Sequence, residues 1–479
     1  LNQTQRQKTK GYLTVGTMGK KSIFEKRKNK LIRKLEERTQ KSARMDESAR
    51  QYLPGGDTRT AVFFKPYPLY VAKGKASRFY DIDGNEYLDF LNNFTALIHG
   101  HAHPAVADAA CDQIKKGSSF AAPTKSQYEL AELICQRVKS VEQVRFCNTG
   151  TEATMNAIRA ARLLTGKSSI VKMEGGYHGT HDLGEVSFDP GLDAAGPIEA
   201  PCSVPPNRGI PESVLKEIIV VPFNNKTVAE KIIRHQHDQI ACVIVEPMLG
   251  AAGCVPPADD YLKFLRSLTR DLGILLIFDE VVTFRLSIGG AQQLYGIEPD
   301  ITAFGKIIGG GFPIGAFGGP SEIMKIYSPQ EKEFISQSGT FNGNPVTMEA
   351  GIACLKALNS KVLEHINSLG RLFRKGVNSA FQKVGIRGQS TGIGSLSCIH
   401  FNSETIKDYR SVVKGNFPAM ELVHLELLLK GINIPRRGGE CSISTPMTET
   451  DIVDFLTAFE EALADIKPFI EESTPELIM

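Results

Sequence analysis

No stretch of this 479-residue chain approaches the roughly 20 consecutive apolar residues that cross a bilayer, so no membrane association is expected. No charged start followed by an apolar run opens it, so no secretory signal is expected either. The nine cysteines are scattered and odd in number, and no CxxC pair occurs. That pattern points to buried free thiols in a reducing cytoplasm, with neither disulfides nor a bound metal. No GxxxxGK[ST] loop is present, and no GxGxxG follows a strand and opens a helix, which disfavours a nucleotide. Internal repeats and long low-complexity segments are also lacking.

What is there is ordinary in bulk, at 42% hydrophobic and 23% charged residues, and so globular. The net charge of +3 conceals a polarity: 14 Lys or Arg stand against three Glu before Met45, which leaves the remainder acidic. The basic stretch from Lys26 to Lys41 reads as an exposed helix or solvated arm, and nucleic-acid binding is not expected of it. The chain divides into a basic arm (1–45), an N-terminal segment of a small domain (46–104), a large domain (105–358) and a C-terminal small domain (359–479).

Asp83-Gly84-Asn85 between two alternating runs predicts a hairpin. From Val144 onward, strands and helices alternate. Strands are expected at Val144–Cys147, Ser169–Met173, Ile240–Val245, Ile274–Phe278, from Ile301 and at Ile314–Phe317, with helices such as Glu152–Leu164 between them. Continuous apolar strands of this kind imply a mostly parallel sheet covered on both faces, an α/β fold. Ligands of such sheets sit beyond the carboxyl ends of the strands. The final third is helix-rich, which suggests a smaller α+β domain. The Pro/Gly/Ala-rich segment Ser187–Pro211 reads as a long surface loop over the site.

Asp279 ends an apolar strand, and Lys306 lies just past another, 27 positions later. A carboxylate there can hold a ring nitrogen protonated, or it can simply cap a helix. A lysine desolvated by Phe304, Ile307 and Ile308 can serve as a neutral nucleophile. Together they supply what a pyridoxal phosphate enzyme requires. Asn148-Thr149-Gly150-Thr151-Glu152 joins a strand to a helix, with Thr151 as the expected N-cap and free amides suited to a phosphate. Gly175-Gly176-Tyr177-His178-Gly179 offers an aromatic ring for stacking beside a histidine. Val281 would pack on the ring face, and Thr340 in the loop Ser338–Pro345 offers a hydroxyl to a phosphate.

Taken in order, Asn148–Ala153, Gly175–Gly179, Asp279–Val281, Gly305–Lys306 and Gly339–Pro345 resemble the class III aminotransferases of pyridoxal phosphate fold type I, over most of the chain from about Arg50. The resemblance implies a large domain with a mostly parallel sheet plus a smaller α+β domain. It implies a Schiff base at Lys306, a salt bridge from Asp279 to the ring nitrogen, Tyr177 stacked on the ring, and phosphate held by Gly150 and Thr151. His178, Glu246 and Val281 join the cofactor site by the same likeness. Thr340 would reach the neighbouring subunit's phosphate, giving a homodimer with shared sites. Pro54-Gly55-Gly56-Asp57-Thr58-Arg59 and Arg436-Arg437-Gly438 look like the β-amino-acid (β-phenylalanine) aminotransferases. Arg59 and either Arg437 or Arg436 would then bind substrate carboxylates, with Asn92–Ala96 at the site edge. Glutamate-1-semialdehyde 2,1-aminomutase is the alternative, sharing the Pro-Gly-Gly start and the long loop. The expected reaction moves the amino group of a β-amino acid to a 2-keto acid such as 2-oxoglutarate or pyruvate.

Overall fold

Seven strands form the central sheet of the computed structural model, which describes residues 23–437 and 439–479. In spatial order they are Gln143–Cys147, Gly315–Gly319, Ile301–Gly305, Leu275–Asp279, Ile240–Val245, Ser169–Met173 and Ile218–Val221. Only Gly315–Gly319 runs against its neighbours; the rest share one direction. All six residues of Ile240–Val245 are buried, because helices cover both faces and leave no solvent side for polar residues. Asp279 pairs with Ala303 across the sheet, so Asp279 and Lys306 finish at the same edge.

A second sheet joins Val71–Lys75, Arg78–Asp81 and Glu86–Asp89 to the distant Ile432–Asn433, which runs parallel to Glu86–Asp89. The expected Asp83-Gly84-Asn85 hairpin is its turn. A third sheet contains Gln389–Thr391, Leu396–His400 and Cys441–Ser442. Long helices at Ser360–Val384, Phe417–Leu429 and Glu449–Ser473 complete this helix-rich part. The cysteines are all free, six of them buried. No helix among the described residues is long and apolar enough to cross a membrane.

Two expectations fail here. The Ile218–Val221 strand at the sheet edge was not anticipated, since four apolar residues after a Pro/Gly-rich loop give little periodicity to read. The basic helix is not an exposed one. It spans Ile23–Arg38, and Leu31 and Leu35 are each only 1% exposed in the core. Leu31 and Leu35 lie one turn apart on one face, which is enough to dock the helix. Its cations pair with acids of Phe417–Leu429: Arg27 Nε donates to Glu426 at 2.9 Å, and Lys28 Nζ to Glu421 at 2.8 Å. The first 22 residues of the basic arm lie outside the described residues.

Candidate active site

Asp279 is 4% exposed at the end of its strand. One carboxylate oxygen accepts the Val281 amide at 3.1 Å, and the other lies 2.9 Å from His178 Nδ1. Burial dominates His178 and lowers its pKa despite the neighbouring carboxylate. A carboxylate only accepts, so His178 Nδ1 carries the proton and donates to Asp279, and the buried Nε2 has no partner among the described residues. Each Asp279 oxygen keeps a lone pair for a further donor, such as a protonated ring nitrogen.

Lys306 follows directly on the Ile301–Gly305 strand at φ +50°, in the left-handed region that non-glycine residues rarely occupy. Backbone strain of this kind concentrates at functional sites. Its ammonium group makes no hydrogen bond or ion pair among the described residues. Val281 is wedged between two glycines: a methyl group on Gly150 or Gly305 would fall 3.0 or 3.2 Å from its side chain. The acid, the lysine turn and the phosphate turn are thus packed around one valine.

The phosphate turn differs from expectation in one respect. Thr149, not Thr151, caps the helix Gly150–Thr165, its side chain accepting the Glu152 amide at 3.1 Å. Thr149 has the extended backbone of an N-cap (φ −145°, ψ 156°), so the helix is capped two residues before the expected position. Thr151 instead sits in the first helical turn, its hydroxyl accepting the Thr180 amide at 3.2 Å. The amides of Gly150 and Thr151 have no intrahelical acceptor and remain for an anion.

Tyr177 is 36% exposed, with its ring 4.9 Å from that of Phe188. Glu246 holds it from below, accepting the Tyr177 amide at 3.0 Å and the Gly250 amide at 3.0 Å. Burial first, and Asp279 next, push the Glu246 carboxyl up to about 8. Glu246 therefore supports the Tyr177 platform from inside the protein. Two further buried groups escaped sequence reasoning. Lys172, fully buried, donates to Gly184 O and Val186 O, and burial lowers its pKa to about 7. Glu440 carries a buried oxygen with no partner among the described residues, and a methyl on Gly250 would meet it at 2.2 Å and Glu246 at 3.1 Å. Neither residue has a local motif that marks it.

Thr340 lies elsewhere. It lines a cleft of about 370 Å³ with Phe120 and Pro123, and that cleft includes neither Lys306 nor Asp279. Asn148 ties the two regions, donating to Asn342 at 2.8 Å.

Of the three candidate arginines, the guanidinium groups of Arg59 and Arg437 have no carboxylate partner among the described residues. Arg59 Nη1 donates to Asn93 Oδ1 at 2.7 Å, and its guanidinium lies 5.5 Å from the Phe94 ring centroid. Asn92, Asn93, Phe94 and Thr95 are all left-handed, a run that costs roughly 1–2 kcal/mol per residue for L-amino acids. Arg436 is half-buried and 3.6 Å from Glu421, whereas Arg437 is exposed with no ion pair among the described residues.

The acid, the unpaired lysine, the exposed aromatic ring and the free helix amides fit pyridoxal phosphate. The family profile described as Aminotransferase class-III matches residues 61–463. The chain belongs to the class-III aminotransferases. It is a pyridoxal phosphate-dependent enzyme of the α/β fold type I. A glutamate-1-semialdehyde 2,1-aminomutase from Methanosphaera stadtmanae is 40% identical over 431 residues, covering 89% of this chain and 99% of that protein. The solved structure of an omega-transaminase from Sphaerobacter thermophilus is 42% identical with a TM-score of 0.85, over 89% of this chain and 98% of that one. A β-phenylalanine aminotransferase from Variovorax paradoxus is 33% identical with a TM-score of 0.85, over 93% and 98%. Family members act on small amino and keto acids.

Proposed function

We propose that this enzyme transfers the amino group of a β-amino acid to a 2-keto acid. The observation that carries the reading is the pair of arginines without carboxylate partners, Arg59 and Arg437. A donor carboxylate and the second carboxylate of an acceptor such as 2-oxoglutarate both need a cation, and two are present. Bidentate hydrogen bonds from guanidinium groups orient such carboxylates. The likeness to the Variovorax paradoxus enzyme supports the same reading.

When bound, the cofactor supplies an electron sink that labilises the proton on the amine-bearing carbon. Asp279, its orientation fixed by His178 and the Val281 amide, would accept the ring N–H and keep it protonated. Lys306 would hold the cofactor through its amine, be released when the substrate's amine takes its place, and then move the proton from the amine-bearing carbon to the cofactor carbon as base and acid. Tyr177 and Val281 would cover the faces of the ring, and the amides of Gly150 and Thr151 would take the phosphate. The Thr340 cleft completes the site of a second copy in a homodimer, and the exposed Phe120 that lines it, with exposed Phe341 next to Thr340 in sequence, suits burial there.

A second reading, the aminomutase, has its own observations. Curated relatives weigh toward it, at 40% identity over nearly full length. Glu440 is a buried acid close to Glu246, which would disfavour a second substrate carboxylate near it. One experiment separates the two. The pyridoxal-loaded enzyme is mixed with β-phenylalanine and no keto acid, and its absorbance is followed. Conversion to the pyridoxamine form supports the β-amino-acid reading. No conversion, with the pyridoxamine-loaded enzyme turning glutamate-1-semialdehyde into 5-aminolevulinate, replaces it with the aminomutase.

A further inference from the structure

The loop that carries Arg437 leaves and returns to one residue. The Phe90 amide donates to Asn433 O at 3.0 Å, and the Ser442 amide donates to Phe90 O at 2.7 Å. Between those two anchors the described residues have no sheet partner until Cys441. What holds it there comes from one face of the helix Phe417–Leu429. His424 Nδ1 donates to Ile434 O at 2.8 Å, and Glu421 pairs with Arg436 at 3.6 Å. Residues three apart on a helix share a face, so both grips come from a single side of it.

We propose that Glu421 and His424 are positioning residues for substrate recognition: they pin Ile434 and Arg436 and so leave the neighbouring Arg437 free for a substrate carboxylate. The inference rests on the reading of Arg437 as a carboxylate-binding residue.

The chemistry of each grip is specific. A carbonyl only accepts, so the His424 proton sits on Nδ1, and the buried Nε2 is left without a partner. A histidine retained at 4% exposure with half of its hydrogen bonding unmet is held there for its Nδ1 bond. Its ring also meets Phe64 edge-on at 5.5 Å, and Phe64 follows the Thr60–Val62 turn that begins just after Arg59. His424 thus touches both arginine-bearing segments. Glu421 engages Arg436 through one oxygen and Lys28 of the basic N-terminal helix through the other. That arrangement keeps Arg436 from competing for substrate, and it connects the N-terminal helix to the recognition loop.

The test uses the pyridoxal-loaded holoenzyme and two amines that differ by one carboxylate, β-phenylalanine and 1-phenylethylamine. His424→Phe keeps the volume and loses the donor, and His424→Asn keeps a donor near Nδ1. Glu421→Gln removes a charge at a partly exposed site, so it remains informative if His424→Phe does not fold. His424→Phe and Glu421→Gln are expected to raise KM for β-phenylalanine by about 3- to 10-fold, the value of one hydrogen bond, with KM for 1-phenylethylamine and both kcat values unchanged. His424→Asn is expected to retain the parent KM. An equal rise for both amines, or no rise for either, overturns the proposal. If Arg437→Ala also leaves the β-phenylalanine KM unchanged, the carboxylate reading itself falls. If the parent enzyme does not accept β-phenylalanine, the same split is read on the pyridoxamine form with 5-oxopentanoate against pentanal, with the same expected and overturning results.

Discussion

The cofactor end and the substrate wall are built by different means. At the cofactor end, Asp279 and Lys306 terminate neighbouring strands of a sheet buried on both faces, and Val281 packs against two glycines. On the proposed substrate wall, Arg59 and Arg437 stand exposed outside helices and strands, and are held through one asparagine, one aromatic ring and a pinned loop. The first arrangement fixes atoms that must meet a cofactor in one geometry. The second leaves cations whose partners can change with substrate. One fold can therefore keep its chemistry while the identity of the amino acid is set by a few loop residues.

Substitutions at the two ends should break this contrast in different ways. Lys306→Ala removes both nucleophile and proton carrier, and kcat for the half-reaction should fall by about 1,000-fold or more in a stopped-flow assay. Asp279→Asn keeps the shape and removes the charge, with a loss of about 100-fold in kcat and little change in KM. Residual activity close to that of the parent would show that the ring nitrogen is held elsewhere. At the wall, Arg437→Ala should act on KM, raising it by roughly 10- to 100-fold for carboxylated donors, the value of a charge-assisted bond. Arg436→Ala should do less, because that residue is paired with Glu421.

The smallest effect concerns pH. Glu246 has a carboxyl raised to about 8 in the folded protein, so the folded state holds a proton that the unfolded chain has released above its ordinary carboxylate pKa. Fewer protons on the unfolded chain means that stability falls as pH rises from about 4.5 to about 8. Glu246→Gln cannot ionise and removes that term. Its Tm carries a constant offset, since an amide NH2 cannot accept one of the Tyr177 and Gly250 amides, and relative to the parent it should rise between about pH 4.5 and about pH 8 and stay level above that. A Tm difference independent of pH would show that Glu246 is not protonated in the native state.

The cofactor end was legible because its signals are local. An apolar run ending in Asp279 and a lysine followed by glycines identify strand ends without any long-range information. The helix Pro104–Lys116 and the strand Ile240–Val245 were readable for the same reason. The wall was only half legible: two arginines could be named, but Glu421 settles which of Arg436 and Arg437 is free, and that pairing spans a helix and a loop. Lys172 and Glu440 were invisible, since a buried charge in an ordinary sequence context shows itself only when the fold closes around it. The basic helix was misread because lysine and arginine outnumber the few leucines that decide its docking.

The most direct test of the central claim is to load the protein with pyridoxal phosphate, reduce it with borohydride, digest it and weigh the peptides. The account predicts a phosphopyridoxyl group on the peptide containing Lys306 and on no other, lost in Lys306→Ala. A label on a different lysine, or no stable label at all, would contradict the site described for this chain.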